Sequence, residues 1–154
     1  MPATVFERIE EMLRKAGVPF SVQRHAPVFT SQEASAVRGT SLASGAKALV
    51  VKAGEAFVLL VMPADRKLDS RKARTALGVK AIRFAAPEEV DRLTGLKPGS
   101  IPPFGSLFGL PTYCDPALSE NPAVNFNAGD HAISIEMTCS DYLAVEKPAM
   151  CSLT

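Results

Sequence analysis

Lys47 stands near the start of the apolar run Ala46-Lys47-Ala48-Leu49-Val50-Val51-Lys52, and further along the chain comes the proline-stiffened segment Gly99-Ser100-Ile101-Pro102-Pro103-Phe104-Gly105. Side chains alternate between the two faces of a strand, so Lys47 shares a face with Leu49 and Val51 while Lys52 goes with Ala48 and Val50. An ammonium against an apolar wall is costly unless a partner or an anionic ligand compensates it. Lys47 is therefore either a lysine snorkelling from the strand end or a cation that waits for a negative group. The glycine loop offers complementary chemistry. Glycine lets the backbone approach a ligand closely and proline holds it still, so the loop amides could hold developing oxyanion charge; the ordinary reading is a rigid turn packed on a sheet.

The chain that must position these groups has 154 residues and a mass of 16.4 kDa, enough for one well-buried core and short for two, so one domain over residues 1–154 is expected. With 17 Lys+Arg against 16 Asp+Glu the net charge is +1, which gives no global field to gather nucleic acid. Any contact with RNA must then be a local patch or a pocket. The cluster Arg66-Lys67-Leu68-Asp69-Ser70-Arg71-Lys72-Ala73-Arg74 is the strong candidate patch, its plain alternative being a solvated helix face. Cys114, Cys139 and Cys151 are odd in number and form no C-x-x-C pair, which argues against a disulfide framework or a zinc site and for a reducing compartment. No stretch approaches the ~18–20 apolar residues of a membrane span, and the N-terminus reads as a charged amphipathic segment rather than a signal peptide. A soluble, cytoplasmic protein is expected.

Thr4-Val5-Phe6-Glu7 has the spacing of a capping box, and Phe6, Ile9, Leu13 and Ala16 recur at helical spacing until Gly17. Phe20–His25 alternates like a half-buried strand, and Thr30-Ser31-Gln32-Glu33 repeats the capping box for a short helix ending at Gly39. Residues 46–53 and 56–63 are strand-length apolar runs broken by Gly54-Glu55, a predicted central hairpin. A helix over Ser70–Leu77, a strand over Ala81–Ala86 and a helix from Pro87 follow. The stretch 95–122 holds six prolines and reads as a binding loop. Ala123–Asn127 and His131–Met137 form a second predicted hairpin around Ala128-Gly129-Asp130, and Ser140-Asp141-Tyr142-Leu143 starts a last helix. The fold class is α/β: a mixed, mostly antiparallel, barrel-like sheet surrounded by helices.

Lys47 at the head of Lys-Ala-Leu-Val-Val, the G-x-x-x-P element Gly99–Pro103, and Asn127-Ala128-Gly129 followed by His131 occur in an order and spacing that resembles the YbaK/ProX family of aminoacyl-tRNA deacylases, relatives of the editing domain of bacterial prolyl-tRNA synthetases. The likeness extends over nearly the whole chain. It implies hydrolysis of mischarged tRNA in trans, with no metal, no other cofactor and no covalent enzyme intermediate. By resemblance Lys47 holds the acceptor end near its phosphate, and the backbone of Gly99, Ser100, Ile101 and Pro103 polarises the ester carbonyl. Asn127, Gly129 and His131 match a variable strand that contacts the amino acid or terminal ribose, and Phe29 and Thr30 match pocket walls, with His25 close by. A lone histidine in a strand is otherwise an ordinary structural residue.

An editing pocket must accept a wrong small side chain and exclude the right larger one, because one methylene discriminates by only ~10–200-fold. Phe29, Ile101 and Phe104 are candidates for the excluding wall, and each is equally readable as core. No nucleophile–base pair is visible, so water attack assisted by the substrate's ribose hydroxyl is the simplest mechanism. The expected substrate is a small amino acid, alanine or cysteine, on tRNA(Pro). The expected partners are the acceptor end of aminoacyl-tRNA and an aminoacyl-tRNA synthetase, with no membrane and no DNA, and the protein is expected to be a monomer. Two alternatives stay open: a hydrolase using Cys114 or Cys139 with His131, and a non-catalytic RNA-binding or regulatory module of the same fold.

Overall fold

A computed structural model describes residues 3–154 of the chain. Helix α1 (Val5–Ala16) starts where Thr4 accepts the Glu7 amide while Glu7 reaches back to the Thr4 amide, and it ends where Gly17 turns left-handed. Thr30, Glu33 and Gly39 repeat the device around α2 (Ser31–Arg38). Both helices start and stop where their caps require.

Strands β2 (Ala46–Ala53) and β3 (Ala56–Pro63) form the expected antiparallel hairpin, with Lys47 opposite Met62 and Gly54 at a φ of 60° in the turn. β4 (Ile82–Phe84) joins β2 antiparallel, whereas β5 (Thr112–Cys114) lies parallel to β3 and β8 (Ala149–Met150) parallel to β5. The order in this sheet is β4-β2-β3-β5-β8. A second, antiparallel sheet runs β1-β7-β6, from β1 (Ser21–Arg24), β7 (Ile133–Thr138) and β6 (Ala123–Asn127). The two sheets join through a bridge between Gly45 and Asn125. Helices α3 (Ser70–Leu77), α4 (Pro87–Thr94) and α5 (Cys139–Glu146) complete the expected mixed α/β arrangement.

The central hairpin is covered on both faces, which is why its strands read as nearly unbroken apolar runs. One face puts Ala46, Val50, Leu59 and Val61 with Ile9, Leu13, Phe126 and Tyr142; the other puts Val51, Leu60 and Met62 with Ala73 of α3 and Leu153. Phe104 is fully buried, edge-on to Phe126 at 5.4 Å and to Tyr142 at 5.3 Å, and the Tyr142 hydroxyl donates to the Pro103 carbonyl at 2.6 Å. This anchor fixes the far end of the Gly99 loop.

Four expectations change. β1 is exposed along its whole length rather than half-buried, because it is an edge strand with β7 as its neighbour. The strand expected over Ala81–Ala86 shrinks to Ile82–Phe84. His131 and Ala132 belong to the turn before β7, since the Asp130 carboxylate accepts the Ala132 amide and shapes that turn. The stretch 95–122 is more core than loop: Ile101, Phe104, Leu110, Cys114 and Leu118 are buried, and it contributes β5 with a 3₁₀ turn on each side. Its prolines set turns between packed residues.

Candidate active site

A pocket of about 170 Å³ is lined by α2, the start of β2, Gly99, Ile101 and Asn127. Phe29, Thr30, Lys47 and Ala64 also line it, so one concavity gathers residues from five separated segments.

Lys47 lines this pocket with Leu49, its neighbour on the same strand face, and Ala46 and Ala48 of the other face reach it as well. Its ammonium donates to the Arg66 carbonyl at 2.6 Å, and none of the ion pairs among the described residues involves it. Burial holds its pKa below the ordinary lysine value, Asp65 pulls it back up, and Lys67 lowers it further. The result is a cation capped by a neutral dipole, with room for an anion.

Gly99 has a φ of 89°, the left-handed region that an L side chain resists. The Ser100 amide and hydroxyl both donate to the Lys97 carbonyl, at 3.2 and 2.8 Å, and positions 102 and 103 are prolines. Within Gly99–Pro103 that leaves the amides of Gly99 and Ile101 as the donors a ligand could use.

A continuous hydrogen-bond chain stands behind this loop. Asn127 Nδ2 donates to the Gly99 carbonyl at 2.6 Å, and Asn127 Oδ1 accepts from Arg38 Nη2 at 2.8 Å. Arg38 Nε donates to Ser134 Oγ at 2.8 Å, and that hydroxyl meets His25 Nε2 at 2.8 Å. His25 Nδ1 faces the Ala26 carbonyl at 2.8 Å, and since a carbonyl only accepts, Nδ1 carries a proton there. His25 therefore supports the scaffold rather than facing the pocket.

Phe29 is 69% exposed at the rim, its ring 4.8 Å from that of His131. Thr30 is tied to the start of α2, its hydroxyl accepting the Glu33 amide. Ser100, Gly129 and His131 line a separate depression behind the Gly99 loop, where His131 Nε2 lies 3.3 Å from the Pro98 carbonyl. Gly129 packs on α1, where a Cβ would come within 2.8 Å of the Val5 side chain. Pro103 and Phe104 belong to the core, so Ile101 and Phe29 remain as walls. Among the described residues no group of three His, Cys, Asp or Glu is disposed to hold a metal ion.

Sequence reasoning passed over Arg38, Leu42, Gly45 and Ser134. Arg38 is the last residue of α2 before a glycine cap, where a basic residue is ordinarily read as facing solvent and offsetting the helix dipole. The cysteine-hydrolase alternative loses its geometry here. Burial, with the neighbouring Cys139, Asp115 and Cys151, pushes the Cys114 thiol up to about 12; burial raises Cys139 too, and neither lines the pocket.

The family model of the aminoacyl-tRNA editing domain matches residues 25–145. The chain is 35% identical over 149 residues to the multifunctional Ser/Thr-tRNA deacylase ProXp-y of Escherichia coli strain K12, covering 94% of this chain and 89% of that protein. It is 30% identical over 110 residues to the proline–tRNA ligase of Bacillus subtilis strain 168, covering 70% of this chain and 20% of the ligase. A solved structure described as a candidate trans-editing enzyme for prolyl tRNA synthetase superposes with a TM-score of 0.87 at 27% identity, over 100% of this chain and 99% of that one.

Proposed function

This chain belongs to the aminoacyl-tRNA editing domain family and is an aminoacyl-tRNA deacylase, and from that premise we propose that its whole length acts as one trans-editing domain in the cytoplasm, removing a small, wrongly attached amino acid from tRNA. The observation that carries the reading is the convergence of Lys47, the Gly99 loop, Asn127 and the Phe29–Thr30 rim on one pocket. Lys47 holds a phosphate of the acceptor end. An ammonium at a partly dry site binds a phosphate strongly, and the phosphate in turn keeps the lysine charged. The Gly99 and Ile101 amides face the ester carbonyl and stabilise the oxyanion as water attacks, with the terminal ribose hydroxyl helping to orient that water. Fixed donors that need no reorganisation are where such a site gains rate.

For the amino acid we propose serine and threonine ahead of the alanine or cysteine suggested by the resemblance to prolyl editing domains. The name of the Escherichia coli relative supports this, and so does an inner wall that mixes the small apolar Ala34, Ala46 and Ala48 with the polar Ser31, Ser35 and Arg38. Similarity to part of a proline–tRNA ligase supports an aminoacyl-tRNA synthetase as an occasional partner.

The test is deacylation of tRNAs charged with serine, threonine, alanine, cysteine and proline by the wild-type protein and by Lys47→Ala. Hydrolysis of a hydroxyl amino acid ester that falls by about 10–100-fold on substitution, the worth of a charge-assisted contact, is the expected result. Charged tRNA that binds without shortening the ester's lifetime would overturn it.

A further inference from the structure

Building on the reading of the pocket as the seat of the aminoacyl ester, we infer that Arg38 selects hydroxyl-bearing amino acids by donating a hydrogen bond to the substrate's side-chain oxygen. A guanidinium has five N–H donors in a rigid planar fork. In Arg38 one is given to Ser134 and one to Asn127, which leaves three. Those two bonds hold the group from two directions and fix where the remaining edge points. Nη1 lies 3.9 Å from where Gly45 would carry a Cβ, and Gly45, Ala34 and Leu42 are pocket walls alongside Arg38 itself.

The charge is unpaired in the fold. None of the ion pairs among the described residues involves Arg38, and its polar partners are the neutral Ser134 and Asn127. Burial draws its pKa down to about 10, so it is still cationic at neutral pH. A substrate also brings a cation, its α-ammonium. Like charges repel, so the ammonium is turned from Arg38 and the side chain on the same carbon takes the near position. A serine or threonine hydroxyl there accepts a charge-assisted hydrogen bond. An alanine methyl would displace water and leave buried donors unpaired, and that penalty is how a polar site rejects an analogue lacking its hydroxyl.

Arg38 also steadies Asn127 and through it the Gly99 carbonyl, so the experiment must separate selection from positioning. The measurement is kcat/KM for seryl, threonyl and alanyl esters on one tRNA, with wild type, Arg38→Met, Arg38→Leu and Asn127→Ala. In Arg38→Met the seryl-to-alanyl ratio is expected to fall by about 10–100-fold, the worth of one hydrogen bond to a charged group, and the threonyl-to-alanyl ratio is expected to fall with it. Asn127→Ala, which breaks the link to the loop and leaves Arg38 held by Ser134 alone, is expected to slow all three esters and to lower the seryl-to-alanyl ratio by much less than Arg38→Met does. An equal loss on all three esters in Arg38→Met, or a ratio that collapses as far in Asn127→Ala, would overturn the assignment. Should Arg38→Met fail to fold, Arg38→Leu, which equally lacks a donor, serves, and a wild-type ratio in that variant would equally overturn it. A wild-type protein that hydrolyses none of the esters would bring down the underlying reading of the pocket, an outcome distinct from active enzyme with an unmoved ratio.

Discussion

Gly99 is held at a φ of 89° with its carbonyl on Asn127, and an added Cβ would find only ordinary contact, 3.5 Å, with His131. Gly99→Ala is therefore a test of backbone conformation rather than of space. It should cost about 1–2 kcal/mol of stability, the penalty for an L residue in left-handed geometry, and should lower kcat by turning the loop amides. Urea titration beside single-turnover kinetics would check both. Lys47 carries a pH signature. Burial holds its pKa below the ordinary lysine value, so the charged form that binds phosphate is lost at a lower pH than for an exposed lysine. After correction for spontaneous hydrolysis, kcat/KM should decline on the alkaline side with an apparent pKa below that of free lysine, and Lys47→Arg should remove the decline. Lys47, Gly99 and Ile101 were legible in the sequence because a charge in an apolar strand and a glycine among prolines are local oddities, whereas Asn127 was reached only through the family resemblance. Arg38 and Ser134 were not, because a helix-terminal arginine and a strand serine look ordinary until the fold brings them within 2.8 Å of each other.

Strand β8 has two residues and pairs with β5 only at Tyr113–Ala149 and Cys114–Met150, so the segment after it needs another anchor. Asp115 supplies one. It is buried, and its carboxylate accepts from the amides of Ala117, Leu153 and Thr154 and from the Thr154 hydroxyl, at 2.8 to 3.0 Å. Burial alone would raise its pKa, but these four hydrogen bonds outweigh that and hold it below the usual aspartate value. The ionised form is thus favoured by folding. Its contribution is complete above the ordinary aspartate pKa and is lost as pH falls through the lowered folded value. Asp115→Asn should destabilise the protein by about 1–3 kcal/mol at neutral pH, and the difference from wild type should narrow in acid. Urea unfolding at the two pH values would measure this. Helices α1 and α2 could be bounded from sequence because Thr4, Glu7 and Gly17, or Thr30, Glu33 and Gly39, lie within a few residues of each other. β5 and β8 could not, since strands of three and two residues carry no period and their partners are distant in the chain.

The protein as a whole has almost no net charge, yet its basic cluster meets the pocket mouth: Ala64 lines the pocket, Lys47 is bonded to the Arg66 carbonyl, and Lys67 is near enough to lower the Lys47 pKa. Arg66, Lys67 and Arg71 are exposed beside this mouth or on the helix that follows. In the proposed function an acceptor stem lies along α3 while its end enters the pocket. If so, tRNA affinity should fall with salt, and each Gln substitution at these three positions should reduce the slope of log affinity against log salt by about 0.7–0.9. Binding isotherms at several salt concentrations would show it. The sequence carried the patch but not its neighbourhood, because nothing local relates residue 66 to residue 99. The pocket also takes Lys47 and Leu49 from the large sheet and Asn127 from the small one, and these sheets meet at the Gly45–Asn125 bridge. Without the smaller sheet the hairpin would keep its own pairing, but the pocket would lack Asn127 and its bond to the Gly99 carbonyl. In the proposed site, ester hydrolysis and the choice of ester therefore depend on the same joint between the two sheets.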